Sequence, residues 1–335
     1  MKSSLGVHSF VIGMVGVFAL AAIAPQWGDP EGPLPINLLG LIGVFLIFFN
    51  QGVSLPGEEL RRGILEWKLH LLVQLTTYLI FPLLAGLGLW LSTAWFDQPD
   101  LRRGFLYLAF VPTTVASAVA LTALARGNVS GALFNCTLSS VIGVFLVPVL
   151  CVMFLEAGGV DGSIELGGML AKIALTILFP LILGQTLRRG LKGPYVRHKT
   201  AVRRFNSGVI LFIVWSAFCQ SFLRDVWQRV GLADLALTGF GVLALLAASG
   251  AWLWWGAARL GLSRESQVAG FYSGGQKSVA MGLPLSAMIF GVGAGGIDLS
   301  LLLLPLLIYH TAQLILGGWL VPYFERLSSP PAKNP

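Results

Sequence analysis

The chain has 335 residues, 56% of them hydrophobic and only 11% charged, with a mean hydropathy of +0.80. Soluble domains carry about 25% charged residues, so a water-soluble fold with a charged shell is excluded and contact with lipid must replace the missing charge. The net charge of +7 does not point to nucleic acid, because basic residues that mark cytoplasmic loops account for much of it.

A window of about 20 apolar residues crosses roughly 30 Å of hydrocarbon. Such windows fall at 7–25, 36–54, 69–93, 104–125, 129–155, 166–187, 205–223, 232–258, 266–290 and 297–322. Ten spans are therefore expected, with the fourth and ninth interrupted by small and polar residues. The first resembles a secretory signal, with Lys2, an apolar run and Ala22-Ile-Ala24. Pro25 would follow the scissile bond and hinder cleavage, so an uncleaved first helix is expected. Cys136, Cys151 and Cys219 lie in apolar runs and read as packing residues rather than a disulfide framework. The 41 glycines and 17 prolines suit close packing and kinks in spanning helices.

Loop charge gives the orientation. The loops after spans two, four, six and eight hold Arg61, Arg62 and Lys68, then Arg126, then a basic cluster from Arg188 to Arg204, then Arg259 and Arg264. Most opposite loops are acidic, with Asp29 and Glu31, then Glu156, Asp161 and Glu165, then Asp298. Both termini are thus expected in the cytoplasm of a bacterial inner (plasma) membrane protein.

Ten spans divide into two sets of five, and a five-span unit that recurs must insert upside down relative to the first. The fifth span contains Thr137-LSSVIGVFLV-Pro148 and the tenth Thr311-AQLILGGWLV-Pro322, with threonine, glycine, a Leu-Val pair and proline at identical spacing. Chance similarity between apolar segments is the competing reading. The expected organisation is one membrane transporter domain over 1–335, with repeats at about 5–157 and 163–326 and a short tail at 327–335.

The interrupted spans occupy equivalent places in the two halves. In span four, Pro112 removes a backbone donor, and Thr113, Thr114 and Ser117 offer hydroxyls nearby. In span nine, Gly274-Gly275-Gln276-Lys277-Ser278 follows Ser273, a poor way to continue a lipid-facing helix. An ordinary kink is the plainer reading of either break alone. Paired breaks point to the midplane site of inverted-repeat carriers. Lys277 sits near mid-span, where a charge costs about 2.5–3.5 kcal/mol on insertion scales. It either lines a substrate or ion site or caps carbonyls of the opposite broken helix. No Asp or Glu is expected deep in a span, so a carboxylate-based cation site is not expected. His310, mid-way along span ten, either titrates or packs, and Asn135, Ser139, Ser140, Gln74 and Gln313 bond across helices. No P-loop or zinc-spaced cluster is present, so neither enzyme activity nor a cofactor is expected.

The segments Val111-PTTVASAV-Ala120 and Phe271-YSGGQKS-Val279, with Leu307-IY-His310, resemble the bile acid/sodium symporter family, solute carrier family ten. They are most similar to the branch of its seventh human member and bacterial homologues. The resemblance implies an all-α polytopic protein of ten helices in two inverted repeats. It also implies a panel domain and a core domain, with discontinuous helices four and nine crossing in the core, and alternating access between the domains. The sodium-coupled branch has Ser-Asn at the first crossing and Glu-x-Gly-Met-Gln-Asn at the second. Here Ser117 matches the serine, Ala118 stands for asparagine, Tyr272 for the glutamate and Lys277 for the last asparagine. Hydroxyls of Thr137 and Ser140 remain available. The missing carboxylate puts sodium in doubt. The expectation is a secondary transporter of a small organic anion, proton-coupled or uncoupled. The alternative is a transport-inactive regulator or receptor of ion homeostasis that keeps the fold. The sequence leaves the oligomeric state open.

Overall fold

The computed structural model describes residues 2–54, 65–92, 98–155, 171, 174–228, 230–290 and 297–328. The loop residues Arg61, Arg62, Glu156, Asp161 and Glu165, the start of the sixth expected span and the tail beyond 328 lie outside the described residues. Every regular element among the described residues is helical: α1 (Lys2–Ile23), α2 (Ile36–Ser54), α3 (Trp67–Leu91), α4 (Pro99–Phe110), α5 (Val115–Leu124) and α6 (Val129–Leu155). The second half of the chain adds α7 (Phe179–Arg197), α8 (Lys199–Leu223), α9 (Leu232–Arg259), α10 (Arg264–Gly275), α11 (Val279–Phe290) and α12 (Leu299–Ser328).

Six of these helices, α2, α3, α6, α8, α9 and α12, are long and apolar enough to cross a membrane, and the pair α4–α5, bent by 60°, makes a seventh. Their outward faces carry large apolar side chains, such as Phe240 at 71% exposure and Trp319 at 78%. Water would penalise such surfaces and lipid does not. The expected spans at 7–25, 166–187 and 266–290 correspond to α1, α7 and the pair α10–α11. The last two are polar for their length: α7 ends in a basic run, and α10 opens on Arg264 and Glu265.

The helices pack in two groups. Helix α2 packs on α7 and α8, and α8 packs on α1 and touches α7. In the other group α4 packs on α12, α10 on α6 and α9, and α5 on α6 and α10, while α3 contacts α4, α6 and α9. The groups meet where α8 contacts α11 and α12, and where α1 contacts α12.

Lipid tails are as apolar as side chains, so close backbone approach rather than hydrophobic burial has to hold such helices together. The α2–α7 crossing does this reciprocally. A Cβ at Gly52 would lie 2.1 Å from the Leu181 carbonyl oxygen, and one at Gly184 would lie 2.2 Å from that of Phe49. The two glycines face each other's backbone, and no side chain fits between. Similarly, a Cβ at Gly104 would come within 2.6 Å of the Leu302 carbonyl oxygen, where α4 meets α12. Two irregularities share one sequence cause. Five-residue π-turns at Thr76–Ile80 and Ala174–Leu178 each run directly into a Phe-Pro pair, Phe81-Pro82 and Phe179-Pro180. Proline has no N–H to continue the regular ladder, and a widened turn accommodates the gap.

The α2–α7 contact gives a direct comparison. Gly184→Ala is expected to lower the thermal unfolding midpoint of detergent-solubilised protein, with an overpacking penalty of about 1–3 kcal/mol. Gly86→Ala, where a Cβ meets nothing within 4 Å, is expected to be neutral or slightly stabilising.

Candidate functional site

The breaks predicted in spans four and nine are adjacent. Helix α4 ends when Val111 turns to the extended region (ψ 135°), and Thr114 is extended as well (ψ 133°) before α5 begins. Helix α10 ends at Gly275 with Gln276 extended (ψ 142°), and α11 begins at Val279. The Ser278 N–H donates to the Pro112 carbonyl at 2.9 Å, and the Ser117 hydroxyl donates to Gln276 Oε1 at 2.7 Å. Two interrupted helices thus cross through their non-helical residues.

Lys277 lies at the centre and is completely buried. Its Nζ donates to the carbonyls of Ala109 at 2.7 Å, Val111 at 2.9 Å and Thr77 at 3.3 Å. The Phe81 ring centroid lies 4.2 Å away. An ammonium has three N–H groups, so each has an acceptor, and the ring face adds a cation–π contact. Each acceptor is released by a local feature. Pro112 ends the ladder of α4, and the Thr113 N–H goes to Ser139 Oγ at 3.2 Å, leaving the Ala109 carbonyl without its helical donor. The extended Val111 turns its own carbonyl out of the helix. In α3 the Phe81 N–H reaches back to Thr76 instead of Thr77, and Pro82 has no N–H to offer. The cluster sits at the C-terminal end of α4, where the helix dipole carries about half a negative charge. Lys277 thus caps freed carbonyls of the opposite broken helix.

The second break is closed by α12. Gln313 pairs with the backbone of Lys277 in both directions: the Lys277 N–H donates to Oε1 at 2.7 Å, and Nε2 donates to the Lys277 carbonyl at 2.9 Å. The Tyr309 hydroxyl donates to the Gly275 carbonyl at 2.6 Å. His310 Nδ1 is 2.9 Å from Gln313 Nε2, which joins it to this network from its edge.

The other predicted residues divide in two. Ser278 stays in the crossing, its hydroxyl accepting from the Met281 N–H at 3.2 Å to start α11. Thr113, Thr114 and Thr137 are buried, and the hydroxyls of Thr113 and Thr137 have no hydrogen-bond partner among the described residues. Ser273 and Ser140 instead turn back onto their own helices, donating to Ala269 at 2.6 Å and Cys136 at 2.9 Å. Asn135 bonds the Gly131 carbonyl and receives Gln74. All three side chains donate to carbonyls of their own helices. Phe81 and Tyr309 are the site residues that sequence reasoning missed, although Phe81-Pro82 marked a break in α3.

Comparison with known proteins settles the class. The sequence profile of the SBF-like CPA transporter family matches residues 8–326. The chain belongs to that family. It is 34% identical over 316 residues to sodium/bile acid cotransporter 7 of Danio rerio, covering 93% of this chain and 92% of that one. The same protein of Rattus norvegicus is 33% identical over 322 residues, covering 93% and 91%. YfeH of Escherichia coli strain K12 is 32% identical over 329 residues, covering 97% and 95%. The chain is accordingly a multi-pass membrane transporter and not an enzyme.

Gln313 gives the site its sharpest structural test. Gln313→Leu strands the Lys277 N–H and carbonyl in a dry interior at about 1–3 kcal/mol for each group. The thermal midpoint is expected to fall markedly, while Gln313→Glu, which keeps the acceptor and loses the donor, falls between. Thermal unfolding in detergent followed by intrinsic fluorescence reads the order.

Proposed function

We propose that this chain is a secondary transporter that carries a small organic anion by alternating access, with the Lys277 ammonium as a built-in cation that replaces a dissociable one. The observation that carries the reading is the triple carbonyl cage around Lys277 Nζ. Carbonyls released at the end of a broken half-helix are the groups with which discontinuous carriers hold a coupling cation. Here they are already occupied by a covalently attached ammonium, which loses its charge only by releasing a proton. Transport is then proton-coupled or uncoupled, and independent of sodium. The substrate's negative charge is inferred from the chain's unneutralised positive centre.

The architecture of this proposal is two inverted repeats of five spans, about 5–157 and 163–326. The contacts support it. Neighbour pairs match under exchange of the halves: α1–α8 with α7–α2, α3–α4 with α9–α10, α4–α12 with α10–α6, and α5–α6 with α11–α12. The repeated motif agrees in detail. Ser139 and Gln313 are third residues of the Thr137–Pro148 and Thr311–Pro322 segments. Each accepts a backbone N–H from the break of its own half, Thr113 and Lys277 respectively. Gly143 and Gly317, seventh in the same segments, each lie against the break, near Pro112 and near Gln276. In this scheme α1, α2, α7 and α8 form a panel that moves against a core of the remaining helices. Both termini are cytoplasmic in a bacterial inner membrane.

Reconstituted protein is expected to take up organic anions saturably into proteoliposomes, at a rate unchanged when potassium or choline replaces sodium. Lys277→Ala should abolish uptake. Saturable uptake that requires sodium sinks the built-in-cation reading. Anion binding without any flux, across a panel of anions and gradients, favours a regulator that keeps the fold.

A further inference from the structure

A cleft of about 540 Å³ lies between α9, α10 and α12, with no residue of α1, α2, α7 or α8 among its lining. Its volume is within the range of about 300–1,000 Å³ typical of small-molecule sites. Its walls are apolar, with Leu246, Phe271 and Leu320 among them, and the exposed Trp319 stands at its outer edge. No charged residue lines it among the described residues. The ammonium of Lys277, next in sequence to its inner end, is turned away into the carbonyl cage.

Three polar side chains reach this space, and two are committed. The Tyr272 hydroxyl donates to the Gly317 carbonyl at 2.8 Å, and both ends of the Gln313 amide hold Lys277. Gln276, only 3% exposed, is different: Ser117 takes Oε1, and Nε2 has no partner among the described residues. Whichever way that amide is turned, Ser117 satisfies one end and the other stays unpaired, which is unfavourable in a buried place. The first half of the chain shows the contrast. At Gly143, the counterpart of Gly317 in the repeated motif, the Tyr78 hydroxyl lies 2.9 Å from where a Cβ would sit. At Gly317 the nearest side chains are those of Leu121, Gln276 and Tyr272, and the cleft remains open.

We infer that this cleft is a lateral, membrane-facing binding site for a single-chain amphipathic carboxylic acid, its carboxyl group on Gln276 and its hydrocarbon chain along α9 and α12. A carboxylic acid both donates and accepts, so it satisfies the unpaired amide end in either orientation. The chain of a bilayer phospholipid ends in a methyl group and leaves that amide dry. With no charge in the lining, the acid binds in its neutral form, because an isolated carboxylate in such surroundings is strongly disfavoured. Binding therefore strengthens as pH falls toward the ordinary carboxyl range of about 4–5.

The test is saturable binding of radiolabelled palmitic acid to the full-length protein in phosphatidylcholine nanodiscs, with palmitic acid and hexadecane as competitors. One saturable site is expected, tighter at lower pH and displaced by unlabelled palmitic acid far better than by hexadecane. Gln276→Leu should weaken binding at least about tenfold. Ala247→Trp should do the same, because it fills the cleft from an exposed position of α9; Ala251→Phe serves if that variant does not fold. Absence of a saturable site, equal displacement by hexadecane, or wild-type affinity in the folded cleft-filling variant would overturn the assignment.

Discussion

The crossing depends on one buried ammonium. A charge in a dry interior persists only if its partners replace water completely, and Lys277 achieves this with neutral dipoles rather than a carboxylate. Its acceptors come from two other segments: Thr77 from the π-turn of α3, and Ala109 and Val111 from the end of α4. Phe81 closes the remaining face. The lysine therefore fixes where α10–α11 lies relative to α3 and α4, and a defect in any of these carbonyl positions would expose the charge. It also resolves a conflict of like dipoles. Carbonyls gathered at a helix C-terminus repel one another unless a cation sits among them, and here the cation belongs to the chain.

Around that centre the structure settles its backbone hydrogen bonds locally. A broken helix at membrane depth frees N–H and C=O groups that lipid cannot satisfy. The residues that answer them are matched to what is freed. Break one frees the Thr113 N–H, and a serine hydroxyl on α6 receives it. Break two leaves both groups of Lys277 open, and an amide on α12 meets both. The two breaks then exchange one backbone bond, Ser278 to Pro112. The crossing is thus a small hydrogen-bonded lattice that satisfies its freed backbone groups, while the hydroxyls of Thr113 and Thr137 and one end of the Gln276 amide have no partner among the described residues.

Much of this was legible in the sequence, and the illegible part has physical reasons. The missing charge revealed the membrane, Pro112 and Gly274-Gly275 marked both breaks, and Lys277 stood out because a mid-span lysine needs an explanation. Whether it lined a cavity or capped a helix could not be read, since that depends on where Nζ ends relative to carbonyls 166 to 200 positions away. That Ser273 and Ser140 bond their own helices four residues back was not legible either, because such a hydroxyl has the same sequence signature as one that bonds elsewhere. Phe81 and Tyr309 were missed because aromatic residues are ordinary in apolar spans. Their roles arise from a π-turn and from a carbonyl at the end of α10. Gln313 was legible only as a polar residue that bonds across helices; its exact pairing with a break required coordinates.

The division of contacts bears on how such a crossing can work. The group α1, α2, α7 and α8 is locked internally where Gly52 and Gly184 admit opposing backbone. It touches the other group chiefly through α8 against α11 and α12. One side is closed by backbone contact at Gly52 and Gly184 and the other by the hydrogen bonds around Lys277, while the seam between them rests on the contacts of α8 and α1. In a carrier whose cation dissociates, loss of the ion can loosen the crossing itself. On the proposed reading the Lys277 side chain stays in the cage throughout, and only release of a proton removes its charge. Conformational change must then be carried by the seam while the crossing moves as a unit. The driving charge must come from the substrate, a proton or the membrane potential rather than from occupancy of the cage.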